Sequence, residues 1–226
     1  MGSQVKSWTD SLHTLPVGDC KTLFGQASDR SRNACASLDG ERKHVRRVER
    51  RAYLNMLRVA NAAQALDRLP EPGETFHVVM AGNFDAFDLV PAVLRLAAPA
   101  TIAVLNIATL GFNQRNTATL VALLDDGQVG RCTFICSTYF RSMSDGEPVY
   151  DELYTALTTR PGGHRIAAIR SHAKILLFEL TDGRCFTWES SANLRSCRNI
   201  EQATLTHDRD LLDFHREWIL EVLADA

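Results

Sequence analysis

The sequence predicts an α/β fold, a mixed sheet with a parallel portion and helices on both faces, preceded by an N-terminal helical extension. Three observations predict it. From Glu74 onward, short apolar runs alternate with helical patterns, the order expected of strands and crossover helices around a parallel sheet. Between Lys174 and Glu189 two apolar runs follow one another across a turn at Thr181 to Gly183, which makes neighbouring antiparallel strands. Ahead of both, residues 41–69 carry apolar side chains at helical spacing.

Taken in order, residues 1–40 are rich in Gly, Ser, Asp and Asn and show little periodicity, so loops and short helices are expected there. The helix over 41–69 buries Val45, Val48, Ala52, Tyr53, Met56, Leu57, Ala60, Ala63 and Leu66 on one face. Its opening, ERKHVRRVERR, holds six Lys or Arg against two acids. A solvated helix face accounts for this composition, and a basic edge that tracks a nucleic-acid backbone is the functional reading. Pro70, Pro72 and Gly73 end that helix, which places an extension over 1–72 and the main domain over 73–226.

Phe76 to Ala81 reads as a strand and Ala86 to Leu96 as a helix, with Asp85 as its cap. Thr101 to Ile107, Arg131 to Ser137 and Arg165 to Arg170 follow as strands, separated by helices over Asn113 to Asp125 and Glu147 to Thr158. The strand pair at 174–189, a further strand near Ala203 to Thr206 and a helix over Asp208 to Leu223 complete the chain. That helix has acids in its first turn and an apolar face that includes His215, read as a packing residue.

At 226 residues the chain can bury a sizeable core, and 45% apolar with 23% charged residues is ordinary globular composition. A net charge of −2 excludes a polycation, so duplex binding would need a local basic surface. No apolar run reaches membrane-spanning length, and the N-terminus lacks a basic-then-apolar signal, so a cytoplasmic protein with no membrane partner is expected. The six cysteines are scattered in apolar surroundings, as buried small hydrophobes in a reducing compartment are. Cys132 and Cys136 on one strand would stand roughly 13 Å apart, too far to share a zinc, and neither a structural metal nor a cofactor is expected.

The chemistry concentrates between Ser171 and Gln202. His172 and Lys174 lie in the apolar run AIRSHAKILLFEL, read as a buried strand, whose period of two puts both on one face with Cα atoms roughly 6 to 7 Å apart. An imidazole beside an ammonium suits a phosphate. The antiparallel pair would return Ser190, Ser191 and Asn193 beside them as uncharged donors to phosphoryl oxygens. Glu201 is expected to reach the imidazole, fix its tautomer and leave the other nitrogen free to attack.

At His172, Lys174, Ser191 and Asn193 the sequence resembles the phospholipase D superfamily, whose signature is His-x-Lys, an Asp after four more residues, then Gly-Ser-x-Asn. Glu201 is similar to the acid that follows the motif in many members. Glu179 stands where Asp is usual and Ser190 where Gly is usual, departures that keep charge and small size respectively. The resemblance implies a phospholipase D-like mixed sheet, a metal-independent phosphodiesterase and a phosphohistidine intermediate. There is one copy of the motif, and single-copy members of this size pair as homodimers with a composite active site.

Nucleic acid is the expected substrate, because the chain is small and carries a basic helix. A phospholipid headgroup is the enzymatic alternative, and a non-catalytic nucleic-acid-binding module that kept the fold is the third reading. Asn113, Gln114 and Arg115, and likewise Tyr139 and Arg141, follow strands in positions where open sheets contact ligands, so they are further candidates.

Overall fold

The structure is a computed structural model that describes residues 61–64, 66–80, 85–195 and 199–225. The basic segment ERKHVRRVERR, most of the extension and residues 81–84 lie outside the described residues. Of the helix expected over 41–69, residues 61–64 and 66–69 are described: 61–64 and Leu66 are helical, and the helix has ended by Asp67. Ala62, Ala63, Leu66 and Leu69 are buried in the same core as the sheet, so the stretch before Pro70 packs with the domain that follows it.

Seven strands form one mixed sheet: β1 (Thr75–Met80), β2 (Ile102–Thr109), β3 (Val129–Ser137), β4 (Arg165–Ile169), β5 (Ile175–Leu180), β6 (Cys185–Ser190) and β7 (Glu201–Thr206). Their order across the sheet is β1-β7-β6-β5-β2-β3-β4. The strands β2, β3 and β4 run parallel, joined by the crossover helices that the alternating pattern requires. The others pair antiparallel. The helices are α1 (Leu89–Ala97), α2 (Gln114–Asp125), α3 (Thr138–Arg141), α4 (Glu147–Thr158) and α5 (Arg209–Ala224).

Side-chain alternation along each strand divides the interior in two. One face of the sheet presents Leu105, Ile107, Phe134, Leu176, Phe178, Phe186 and Trp188, packed with Val90 and Val93 of α1, Leu120 of α2 and Leu153 and Leu157 of α4. The other presents Ala108, Ile135, Ala167, Ile175, Leu177 and Cys185 to Leu212, Ile219 and Leu223 of α5. Helices therefore cover both faces, as the pattern predicts. No helix among the described residues is long and apolar enough to cross a membrane.

Local chemistry explains where elements begin. Asn113 caps α2, its side chain accepting from the Asn116 N–H at 2.9 Å while Asn116 Oδ1 accepts from the Asn113 N–H at 3.1 Å. Asp208 caps α5 by accepting from the N–H groups of Asp210 and Leu211. The 3-10 turn Ala86–Asp88 begins at Asp85, whose N–H donates to Asp88 Oδ2 at 3.0 Å.

One expectation is corrected. The run AIRSHAKILLFEL is two strands, β4 at one edge of the sheet and β5 in its middle, and residues 171–174 belong to neither. From β4 the chain must pass the ends of β3 and β2 to reach β5, three strand spacings or roughly 14 Å. The five residues Arg170 to Lys174 span at most about 17 Å when extended, so the crossing uses nearly all of them. His172 and Lys174 therefore sit on a crossing segment over the end of the sheet, and alternation along a strand does not set their directions.

Candidate functional site

The strand directions gather the chemistry at one end of the sheet. There lie the C-terminal ends of β2, β3, β4 and β6 and the starts of β5 and β7. In open α/β sheets this is the end where ligands bind, because the chain must leave the sheet there and supply loops. Arg170 to Lys174 crosses it, Ser191 to Leu194 follows β6, and Glu201 opens β7.

On the crossing segment the Ser171 hydroxyl accepts from the Ala173 N–H at 3.1 Å, a local turn. His172 is exposed, and Lys174 is half-buried. The Lys174 ammonium turns back and donates to the His172 carbonyl oxygen at 2.8 Å. The hairpin places Ser190 opposite Lys174, its N–H donating to the Lys174 carbonyl at 3.1 Å. The next residue is held by the neighbouring strand: the Ser191 N–H donates to the Gln202 carbonyl at 2.9 Å, and the Gln202 N–H donates to Ser191 Oγ at 3.0 Å.

Glu201 accepts a hydrogen bond from the Ser191 hydroxyl. The sequence reading directed this carboxylate to the imidazole, whereas here it meets the serine. Ala192 and Leu194 are buried in the main core and pin the turn by alternate residues, leaving Ser191 exposed and Asn193 half-buried. Asn193 Oδ1 is buried and makes no hydrogen bond. Behind the turn, buried Thr109 accepts from the Leu194 N–H at 3.4 Å and donates to the Gly111 carbonyl at 3.0 Å, tying the end of β2 to the Ser-x-Asn segment. Lys174, Ser190, Ser191 and Glu201 are thus linked by hydrogen bonds across β5, β6 and β7, with His172 two residues from Lys174.

Glu179 lies elsewhere. On β5 it stands beside Val104, near the start of β2, and so toward the opposite end of the sheet. There it accepts from Arg209 at 3.2 Å and from Arg216 at 3.3 Å, fastening α5 to the sheet. The acid at this motif position is an anchor for a helix.

The loop candidates divide in the same way. Arg115 pairs with the buried Asp85 and with Asp88, Asn113 caps α2, and Gln114 reaches Glu152 at 3.4 Å. Arg141 lies over the Tyr150 ring, 4.6 Å from its centroid. Tyr139, by contrast, is on the rim of an open cleft of about 640 Å³ beside His172. Ser137, Thr138, Tyr139 and Ser142 form one wall, and Arg170, Ser171 and His172 form the other. The sequence reading did not single out Arg170, Thr138 or Ser142. Arg170 precedes His172 by two residues, and its signal was hidden by treating the whole segment as strand.

His215 does more than pack. It is buried, its Nδ1 accepts from Trp218 Nε1–H at 3.0 Å, and its Nε2 lies 3.2 Å from Glu189 Oε1. Because an indole N–H only donates, the neutral ring carries its proton on Nε2 and donates it to Glu189. Burial pushes the Cys132 and Cys136 thiols up to about 12.

Neither a protein-family model nor a curated protein matches the chain. Among solved structures it is similar to Nuc from Salmonella typhimurium, a phospholipase D family member, at 14% identity and a TM-score of 0.48 over 66% of this chain and 93% of that one. It is also similar to NucT from Helicobacter pylori, at 13% identity and a TM-score of 0.46 over 67% of this chain and 97% of that one. Polyphosphate kinase from Porphyromonas gingivalis is similar at 14% identity and a TM-score of 0.47, over 72% of this chain and 29% of the kinase. These are likenesses of fold alone: the mixed sheet and its helices are similar to those of a phospholipase D family member.

Proposed function

We propose that this protein is a phosphodiesterase that cleaves nucleic-acid phosphodiesters through a covalent phosphohistidine at His172, with no metal ion. The observation that carries the reading is the hydrogen-bonded continuity of Lys174, Ser190 and Ser191 at the sheet end where exposed His172 borders an open cleft. An exposed imidazole can reach a phosphorus atom, and a half-buried ammonium beside it neutralises the non-bridging oxygens.

His172 attacks phosphorus, the P–O bond to the leaving group breaks, and that oxygen takes a proton. A water molecule then attacks the phosphohistidine, returning the imidazole and releasing the phosphate product. Lys174, Ser191 and the Asn193 amide N–H groups hold the non-bridging oxygens in both steps. The Lys174 ammonium leaves the His172 carbonyl to meet the substrate. Glu201 acts as a positioning residue: it accepts the Ser191 hydroxyl until substrate arrives, when that hydroxyl turns to donate to a phosphoryl oxygen.

The leaving oxygen needs an acid. The chain carries one copy of the motif, so the acid in this scheme is His172 of a second identical subunit, across a two-fold axis. Incubating wild type and His172→Ala with labelled DNA, RNA and a phospholipid, with and without EDTA, tests the reading. Wild type cuts nucleic acid in EDTA and the variant does not. Loss of cutting in EDTA with recovery on adding Mg²⁺, or cutting of the phospholipid alone, contradicts it. Equal DNA binding by both proteins with no cutting by either favours a binding module.

A further inference from the structure

We infer that the cleft between Tyr139 and Arg170 is a nucleotide subsite, in which Tyr139 stacks an unpaired base and Arg170 holds a flanking phosphate, so that the substrate is single-stranded. This rests on the reading of His172 as the reacting group and specifies what lies beside it.

Three features of the cleft support the inference. Tyr139 is 64% exposed, although its neighbour Phe140 is 2% exposed and packs on Phe112 with ring centroids 4.9 Å apart. The Tyr139 ring contacts no other ring among the described residues, and its hydroxyl has no hydrogen-bond partner there. Its backbone is nevertheless fixed, the N–H donating to Ser137 Oγ at 3.2 Å and the carbonyl accepting from Ser142 Oγ at 2.8 Å. Gly146 adds to this, because a Cβ there would collide with the Phe140 carbonyl oxygen. A rigidly mounted aromatic face left open to solvent is a stacking platform.

The opposite wall supplies charge. Arg170 is exposed and forms no ion pair among the described residues, whereas Arg141 is engaged over Tyr150. No carboxylate lines the cleft, whose remaining groups are hydroxyls and the His172 imidazole. A volume of about 640 Å³ lies within the range of small-ligand sites and admits a nucleotide. A base inside a duplex hides both faces against its neighbours, so only an unpaired one can offer a face to Tyr139.

The test measures binding by fluorescence anisotropy in the full chain carrying His172→Ala, a parent that binds the probes without cutting them. The probes are octathymidylate, the same strand with a central abasic site, its duplex, and phosphatidylcholine vesicles. This parent prefers the intact strand over the abasic one by roughly five- to 150-fold, the worth of one stacked base. Tyr139→Ala brings that ratio to about one, Tyr139→Phe keeps it, and Arg170→Gln weakens both strands alike. An unchanged ratio in Tyr139→Ala beside a retained circular dichroism spectrum overturns the inference. So does binding of the duplex as tight as the single strand, or Tyr139-dependent binding to vesicles alone. A parent that shows the ratio, beside a wild type that cuts nothing, contradicts the phosphodiesterase reading and leaves the subsite standing. Cutting with no Tyr139-dependent ratio does the reverse.

Discussion

The Ser191 hydroxyl donates to the Glu201 carboxylate, joining the turn after β6 to the first residue of β7. The same oxygen accepts from the Gln202 N–H, so Ser191 is held by side chain and backbone of one neighbouring strand. In the proposed reaction, Glu201 acts on chemistry through Ser191. Ser191→Ala and Glu201→Ala are each expected to lower kcat, and the double variant to lose no more than the worse single one, as residues of one unit do. Glu201→Gln, which still accepts the hydroxyl, recovers part of the rate. Additive losses in a double-mutant cycle contradict the coupling.

Lys174 makes its side-chain hydrogen bond to a carbonyl on an exposed segment, so its removal leaves the fold intact. Lys174→Met is expected to reduce kcat by about 10²- to 10³-fold, the scale of losing one donor to developing charge. The thermal midpoint should stay within a few degrees of wild type. Lys174→Arg does not restore the rate, because a planar guanidinium cannot take the place of a compact ammonium. Full activity in either variant contradicts the assigned role.

The alternation of strands and helices from Glu74 onward was legible because apolar periodicity survives in each element. Boundaries moved by a residue or two, as where β2 runs on to Thr109. The crossing segment was not legible, since AIRSHAKILLFEL is apolar enough to read as one strand and only the sheet order separates β4 from β5. Glu179 and Glu201 illustrate a second limit. Glu201 was expected near the imidazole and Glu179 was read only as the motif's acid, yet Glu179 fastens α5 and Glu201 meets Ser191, partners set by strand pairing rather than by sequence distance. His215 looked like a packing residue because helical spacing reports burial and says nothing about Glu189 on β6.

The Arg68 guanidinium donates to both oxygens of Glu74, at 2.7 Å each, and holds that carboxyl down to about 2. A carboxyl depressed by folding contributes stability that is present above its unfolded value and is lost as pH falls through its folded value. Wild type and Glu74→Gln are expected to differ in thermal midpoint at neutral pH, with the difference shrinking between about pH 4.5 and pH 2. A difference that persists unchanged at pH 2 contradicts the assignment to this pair.

The thiols of Cys132, Cys136 and Cys185 are buried and free, and burial raises all three. Since the thiolate is the reactive form, these residues should resist iodoacetamide at pH 8 in the folded protein and react fully in denaturant. Peptide mass spectrometry checks this residue by residue. Rapid labelling of Cys132 in the native protein contradicts its place in the core.

In the proposed reaction His172 becomes covalently bonded to phosphorus, and that bond can be trapped. Wild type is mixed with a phosphodiester labelled at phosphorus in EDTA, quenched in alkali within the first turnover, digested and sequenced by mass spectrometry. A phosphoramidate is expected on the peptide carrying His172, lost on acid treatment and absent from His172→Ala. Turnover without any adduct, an adduct on another residue, or undiminished turnover in His172→Ala would contradict it.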